Sequence, residues 1–144
     1  MKPPLGDTLV ICDMDNTLLT AKEGIPACNR AVIRLYTGMG GLFTVATGRP
    51  PESIRAALGN LKLSLPAISC NGALLYDFST ESVLHRSTLN REQATTAIID
   101  ILAKFPRMGV EVMAGNGEMY VIHANEVTHA HQVDCLLYTS DAAD

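Results

Sequence analysis

The stretch TLVICDMDNTLL, residues 8–19, opens as a run of apolar residues and closes on two acids one residue apart, Asp13 and Asp15. A nearly continuous apolar run of strand length suits a strand covered on both faces, so residues 8–13 are predicted to be a buried strand of a parallel sheet. Asp13 and Asp15 then lie at its C-terminal end. Outward from there, apolar residues at 27, 28, 31, 32, 35 and 36 follow the helical period, and Gly38, Gly40 and Gly41 stop the helix. Residues 42–46 (LFTVA) read as a second buried strand, 51–58 as a short helix after Thr47-Gly48-Arg49-Pro50-Pro51, and 66–70 (PAISC) as a third strand. Strand and helix alternating in this way predict an α/β fold with a right-handed, Rossmann-like parallel sheet.

The pattern changes after Asn71-Gly72. Residues 73–77 and 83–88, separated by Ser79-Thr80-Glu81-Ser82, read as a hairpin or the entry to a new unit. Asn90 with Gln93 resembles a capping box, and Ala94, Ala97, Ile98, Ile101, Leu102 and Phe105 give the following helix an apolar face that ends at Pro106. Residues 110–114 and 118–123, joined by Gly115-Asn116-Gly117, form the clearest hairpin. Met108, Met113 and Met119 are expected to pack in a core or pocket.

The chain has 144 residues, enough for one domain with a real core or for a small domain and part of a second. A hydrophobic fraction of 47% against 18% charged residues fits a well-buried α/β protein rather than a disordered one. A net charge of -4 with 11 Lys and Arg leaves no electrostatic footprint for nucleic acid or an anionic membrane. The N-terminus lacks the apolar region of a signal peptide, and a cytoplasmic protein is expected. Cys12, Cys28, Cys70 and Cys135 have neither zinc-ligand nor disulfide-framework spacing and are expected as buried free thiols. His123, His129 and His131 with Asp134 could chelate a metal, but on this segment they are read as surface residues.

Ligands of open parallel sheets bind beyond the carboxyl ends of the strands, where Asp13, Asp15 and Thr47 are all predicted to lie. One carboxylate there can attack phosphorus while a second acid serves the leaving oxygen and then water. A divalent cation such as Mg²⁺ would offset the repulsion between carboxylate and phosphate, and the Thr47 hydroxyl and main-chain N–H groups around Gly48 would donate to phosphate oxygens.

Three segments together, Asp13-Met14-Asp15-Asn16-Thr17-Leu18-Leu19, Ala46-Thr47-Gly48-Arg49-Pro50 and Asn71-Gly72-Ala73, resemble motifs of haloacid dehalogenase-like phosphatases of the Cof type. The resemblance covers residues 8–134. It implies Asp13 as the nucleophile that forms an aspartyl-phosphate and Asp15 as general acid and base. It also implies Mg²⁺ held by the Asp13 carboxylate and the Asp15 main-chain carbonyl, Thr47 and Gly48 on the phosphoryl group, and Arg49 and Asn71 lining the site. Asn16 stands where Gly is common in the family, a tolerable change because Asn accepts unusual backbone angles.

By the same resemblance, residues 1–77 are the N-terminal part of the core and 78–134 the first portion of an inserted α/β cap that selects a small phosphate ester, such as a sugar or cofactor phosphate. A later Lys and a G-D-x-x-x-D cluster that complete the family site have no counterpart here: Lys22, Lys62 and Lys104 precede the position of that Lys. The tail CLLYTSDAAD, residues 135–144, resembles the translation of a synthetic sequencing adapter and is expected not to be native. Without Asp141 and Asp144 the net charge changes from -4 to -2. On this reading the 144 residues are a gene fragment, inactive alone, whose apolar first strand becomes an open edge prone to self-association. Transfer of the phosphoryl group to a second hydroxyl, as in a phosphotransferase or phosphomutase, and a non-catalytic product are the alternatives.

Overall fold

The computed structural model describes residues 5–20 and 24–134; the adapter-like segment 135–144 lies outside the described residues. The chain divides into two compact units, Met1–Arg86 and Ser87–Asp144.

In the first unit β1 (Leu9–Cys12) pairs in parallel with β2 (Leu42–Val45), Leu9 opposite Leu42 and Cys12 opposite Val45. Between them runs α1 (Ala27–Gly38), which closes on Gly40 at φ 90°, a backbone angle that suits glycine. Then comes α2 (Pro51–Leu58), whose entry is set by Pro50 and by Pro51 at the first helical position. A parallel bridge, Ala46 to Ile68, joins β2 to β3 (Ala67–Ser69). From β3 the sheet continues antiparallel through β4 (Leu74–Asp77) and β5 (Ser82–Arg86). The α/β fold with parallel strands expected from the sequence is therefore present, and the hairpin after Asn71-Gly72 extends the sheet of β3.

The core gathers Met14, Leu18, Ile33, Val45, Ile54 and Ala67 from the first turn, both helices and two strands. Arg30 of α1 ties the far end of α2 down: its Nη1 donates to the Leu58 carbonyl at 2.6 Å and its Nη2 to that of Ala57 at 3.2 Å, while Nε reaches Ile25 O at 3.1 Å. The Leu58 and Ala57 carbonyls are ones a helix C-terminus leaves without an intrahelical partner. With its C-terminal end held in this way, α2 presents a fixed N-terminal end to the loops after β1 and β2.

β1 departs from the expectation of a strand buried on both faces. Leu9, Val10 and Ile11 are 46%, 40% and 50% exposed, whereas Phe43, Thr44 and Val45 of β2 are all buried. Among the described residues β1 pairs with β2 alone, so the open apolar edge expected from the sequence is present.

The second unit contains α3 (Arg91–Lys104), the antiparallel pair β6 (Val110–Met113) and β7 (Met119–His123), and α4 (Glu126–Asp134). Asn90 caps α3, its Oδ1 accepting from the main-chain N–H groups of Glu92 and Gln93 at 2.9 and 3.4 Å. Asn125 does the same for α4, accepting from Val127 and Thr128, each at 3.0 Å. The apolar face read for α3 is only partly covered: Ala94, Ile98 and Leu102 are half-buried, whereas Ala97 and Ile101 are exposed, as is Phe105 just beyond the helix. Two further expectations need correction. Cys28 is exposed and Cys12 half-buried, leaving Cys70 as the one buried residue among the described cysteines, and Met108 is exposed while Met119 is buried.

Candidate active site

The loops after β1, β2 and β3 meet at one end of the parallel strands. Cys12 O accepts from Ala46 N at 2.9 Å, and Ile68 O accepts from Thr47 N at 3.0 Å, so Asp13 and Thr47 emerge in register side by side. After Asp13 the chain makes one wide turn over residues 14–18, closed by Leu19 N donating to Met14 O at 2.8 Å. Asn16 takes the left-handed conformation there, φ 57° and ψ 12°, which is the tolerance for which Asn was read at that position. Met14 and Leu18 point into the core and anchor the turn, and this turns the Asp13 and Asp15 side chains out to solvent.

Asp15 is gripped by Arg49. The Arg49 Nε lies 3.1 and 3.0 Å from the two Asp15 carboxylate oxygens, and Nη2 lies 2.8 Å from Oδ1. These charge-assisted bonds hold the Asp15 carboxyl below its ordinary range, outweighing the opposing effect of partial burial, with the Arg49 charge adding to them. Asp15 in this arrangement is ionised, and the grip weakens it as a base. To take up or donate a proton it must first be released from Arg49.

Arg49 is itself fixed from behind. Its carbonyl accepts from Ser69 Oγ at 2.6 Å and Cys70 N at 3.1 Å, and its Nη1 donates to Ser53 Oγ at 2.7 Å. Thr47 is buried; its Oγ1 accepts from Arg49 N at 3.2 Å, and its carbonyl accepts from Asn71 N at 3.0 Å. Asn71 is in the left-handed region at φ 55°, between Cys70 at 54° and Gly72 at 91°. Three successive residues of that kind are costly outside Gly and Asn, and the strain falls where the chain wraps around Gly48. A Cβ at Gly48 would stand 3.1 Å from Asn71 Oδ1, so glycine lets the two loops close on each other.

The helix-start donors expected near Gly48 are fewer than at an ordinary N-terminus, because Pro50 and Pro51 carry no N–H. Arg49 and the Gly48 main chain are what remains to meet an anion there. Sequence reading gave no role to Thr17, whose Oγ1 donates to Asp13 Oδ2 at 3.1 Å, nor to Ser53 and Ser69. Only Thr17 carries a local signal, a hydroxyl four residues after the acid. Cys12, beside Asp13, is no rival nucleophile: burial, and then the Asp13 charge, push its thiol up.

Among the described residues no group of three or more His, Cys, Asp and Glu side chains could hold a metal. The Asp13 carboxylate and the Asp15 main-chain carbonyl are nonetheless hard oxygens, and Mg²⁺ commonly takes only one or two protein carboxylates when phosphate and water complete its octahedron. The donor set therefore fits Mg²⁺. In the second unit His123 Nδ1 pairs with Met108 O at 2.8 Å and His131 Nδ1 with Glu111 Oε2 at 2.6 Å, which engages both histidines locally. An open cavity of about 440 Å³ bordered by Arg55, Leu58, Lys62 and Phe78 shares no residue with the Asp13–Arg49 cluster.

The family model of haloacid dehalogenase-like hydrolases matches residues 10–141, a span that runs past residue 134 into the segment read above as adapter-derived. The chain belongs to the haloacid dehalogenase-like hydrolases. The 5-amino-6-(5-phospho-D-ribitylamino)uracil phosphatase of Bacillus subtilis is 36% identical over 93 residues, 65% of this chain and 31% of that protein. The pyridoxal phosphate phosphatase of Escherichia coli is 36% identical over 77 residues, 53% of this chain and 28% of that protein. A solved structure of a sugar phosphatase of haloacid dehalogenase subclass IIB shares the fold, with a TM-score of 0.73 at 21% identity over 93% of this chain and 52% of that one. The haloacid dehalogenase-like chain thus spans about a third of these curated relatives and about half of the solved structure. Among the described residues no helix is long and apolar enough to cross a membrane.

Proposed function

We propose that the protein is a Mg²⁺-dependent phosphomonoester hydrolase of the cytoplasm that acts on small phosphorylated metabolites, with Asp13 as nucleophile. The observation that carries this reading is the Asp15–Arg49 grip at the mouth of the parallel strands, two residues beyond a solvent-facing Asp13. Named relatives that hydrolyse a ribityl-uracil phosphate and pyridoxal phosphate support the substrate class.

An Asp13 carboxylate oxygen attacks phosphorus, the bond from phosphorus to the ester oxygen breaks, and the leaving oxygen takes a proton from Asp15. Water then attacks the aspartyl-phosphate, gives its proton to Asp15, and the Asp13 carboxylate is restored with release of phosphate. The anionic phosphate competes with Asp15 for Arg49. Transfer of the guanidinium to phosphate oxygens frees Asp15 to carry a proton, so substrate binding and general acid function are coupled through one side chain. Thr47 Oγ1 and the Gly48 N–H complete the cradle, and Asn71 keeps the Gly48 loop closed. Mg²⁺, held by the Asp13 carboxylate and the Asp15 carbonyl, supplies charge neutralisation between nucleophile and phosphate.

The Lys and G-D-x-x-x-D cluster that the resemblance implies are not among these 144 residues, so the chain alone is expected inactive. Activity is expected when a longer chain supplies them. In that chain Asp13→Asn lowers phosphate release from p-nitrophenyl phosphate with Mg²⁺ by about a thousandfold or more, while far-ultraviolet circular dichroism stays unchanged. Retention of activity by Asp13→Asn removes the aspartyl-phosphate reading. Mg²⁺-dependent release by the 144-residue chain itself would overturn the expectation that it is inactive.

A further inference from the structure

A guanidinium can meet a carboxylate by its Nε–Nη2 side or by its Nη1–Nη2 end, and the two modes are similar in strength. Arg49 uses the side, with Nε and Nη2 both on Asp15. We propose that Ser53 is the positioning residue that selects this mode: its hydroxyl, held in α2, fixes the roll of the Arg49 guanidinium so that the Nε–Nη2 edge faces Asp15.

Ser53 is 2% exposed, and its Oγ accepts from Arg49 Nη1 at 2.7 Å. The main chain of Arg49 is pinned at the other end, its carbonyl accepting from Ser69 Oγ and Cys70 N. Two fixed points define the long axis of the side chain, and the occupied Nη1 removes the end-on alternative. The hydroxyl keeps its place because α2 is anchored by Pro50 and Pro51 at one end and by Arg30 at the other. With Ala at position 53 the contact that sets the roll is gone, and the guanidinium can turn its Nη1–Nη2 end towards Asp15.

The significance of this orientation for catalysis rests on the phosphoryl-transfer reading, but the test needs no turnover. In the 144-residue chain labelled with ¹⁵N at arginine, the Arg49 Nε–H resonance is assigned through Arg49→Lys. Ser53→Ala is expected to speed exchange of that proton with water by about tenfold, as loss of a hydrogen bond to a charged group implies, while the Arg30 Nε–H keeps its rate. Ser53→Thr, which retains the acceptor oxygen, is expected to keep the slow rate. Unchanged Arg49 exchange in Ser53→Ala, or equal acceleration at Arg30, overturns the proposal, the second because it signals general loosening.

If Ser53→Ala does not fold, the wild-type chain decides. At low temperature Arg49 is expected to show separate Nη1 and Nη2 resonances, held apart by the two partners, beside an averaged pair for exposed Arg86. An averaged pair at Arg49 overturns the proposal. Failure here leaves the Asp13→Asn experiment untouched, and failure of that experiment leaves the Arg49 resonances where they are.

Discussion

Helices α2 and α3 each carry an apolar face in the sequence, yet α2 buries Pro51, Ser53, Ile54 and Leu58 within eight residues, whereas α3 buries none of its 14. The difference lies in what covers the face. Ile54 joins a cluster with Val45, Ala67 and Met14, drawn from strands and a turn of the same unit, while Ile101, on the apolar face of α3, is 39% exposed. An amphipathic pattern states which side of a helix is apolar; a second layer must supply the burial.

The largest expected effect breaks or upholds this contrast directly. Ile54→Ala removes a fully buried side chain and should destabilise the first unit by ~2–5 kcal/mol, enough to remove much of the stability of a small domain. Ile101→Ala should cost less, about 1 kcal/mol or below, because much of its side chain is already in water. Urea unfolding of both variants makes the comparison, and similar losses would mean that α3 has a covering layer in solution.

The strands repeat the lesson at a smaller scale. β1 and β2 have similar apolar sequences and pair residue for residue, but β2 lies between two neighbours and β1 has one among the described residues. An exposed apolar edge is a template for pairing with another chain, and a Lys on such a strand opposes it. We expect the 144-residue chain to self-associate and Val10→Lys to reduce that association. Because Val10 is 40% exposed, the stability cost of the substitution should be modest. Sedimentation velocity over a concentration series is the measurement. A wild-type monomer at every concentration would remove the edge as a cause of association, as would Val10→Lys associating as strongly as wild type.

Local signals carried most of the fold. Apolar runs of strand length, the 3.6-residue period of α1 and the Gly and Pro punctuation around both helices gave α2 at the same boundaries and β1, β2 and β3 to within a residue or two at each end. Asn16 was legible because few residues accept a left-handed backbone, and it adopts one; Asn71, singled out only by its motif, adopts one as well. The partner of Asp15 was not legible: Arg49 lies 34 residues away, and only the parallel register of β1 with β2 brings the two loops together. Ser53 and Ser69 carried no signal at all, since a hydroxyl on a helix or at a strand end is usually unremarked until the fold points a guanidinium or carbonyl at it. The exposure of Cys28, Met108 and Ile101 was hidden for the reason given above, because composition does not say what packs against a residue.

The smallest effect compares the two hairpins, where each unit holds an acid below its ordinary pKa. Asp77 Oδ1 accepts from Ser79 Oγ at 2.7 Å and from Ser79 N at 2.8 Å, the hydroxyl being the larger cause of the shift. Glu118 Oε2 accepts from the Tyr120 hydroxyl at 2.7 Å, which is the leading cause there. A carboxyl with a lowered folded pKa contributes stability that is fully present above its unfolded pKa and lost as pH falls through the folded value. The window for each therefore lies on the acid side of its ordinary value, 3.8 for Asp77 and 4.5 for Glu118, and near pH 7 both contributions are complete. Tyr120→Phe should raise Glu118 towards its ordinary pKa by removing its leading donor, with the Asn116 side chain still holding part of the shift. Ser79→Ala should likewise return Asp77 part of the way, because the Ser79 N–H and Thr80 still donate. Carboxyl-carbon chemical shifts followed against pH read both directly. An unmoved Asp77 in Ser79→Ala would assign its shift to the Ser79 N–H and Thr80 rather than to the Ser79 hydroxyl, whereas an unmoved Glu118 in Tyr120→Phe would assign its shift to Asn116.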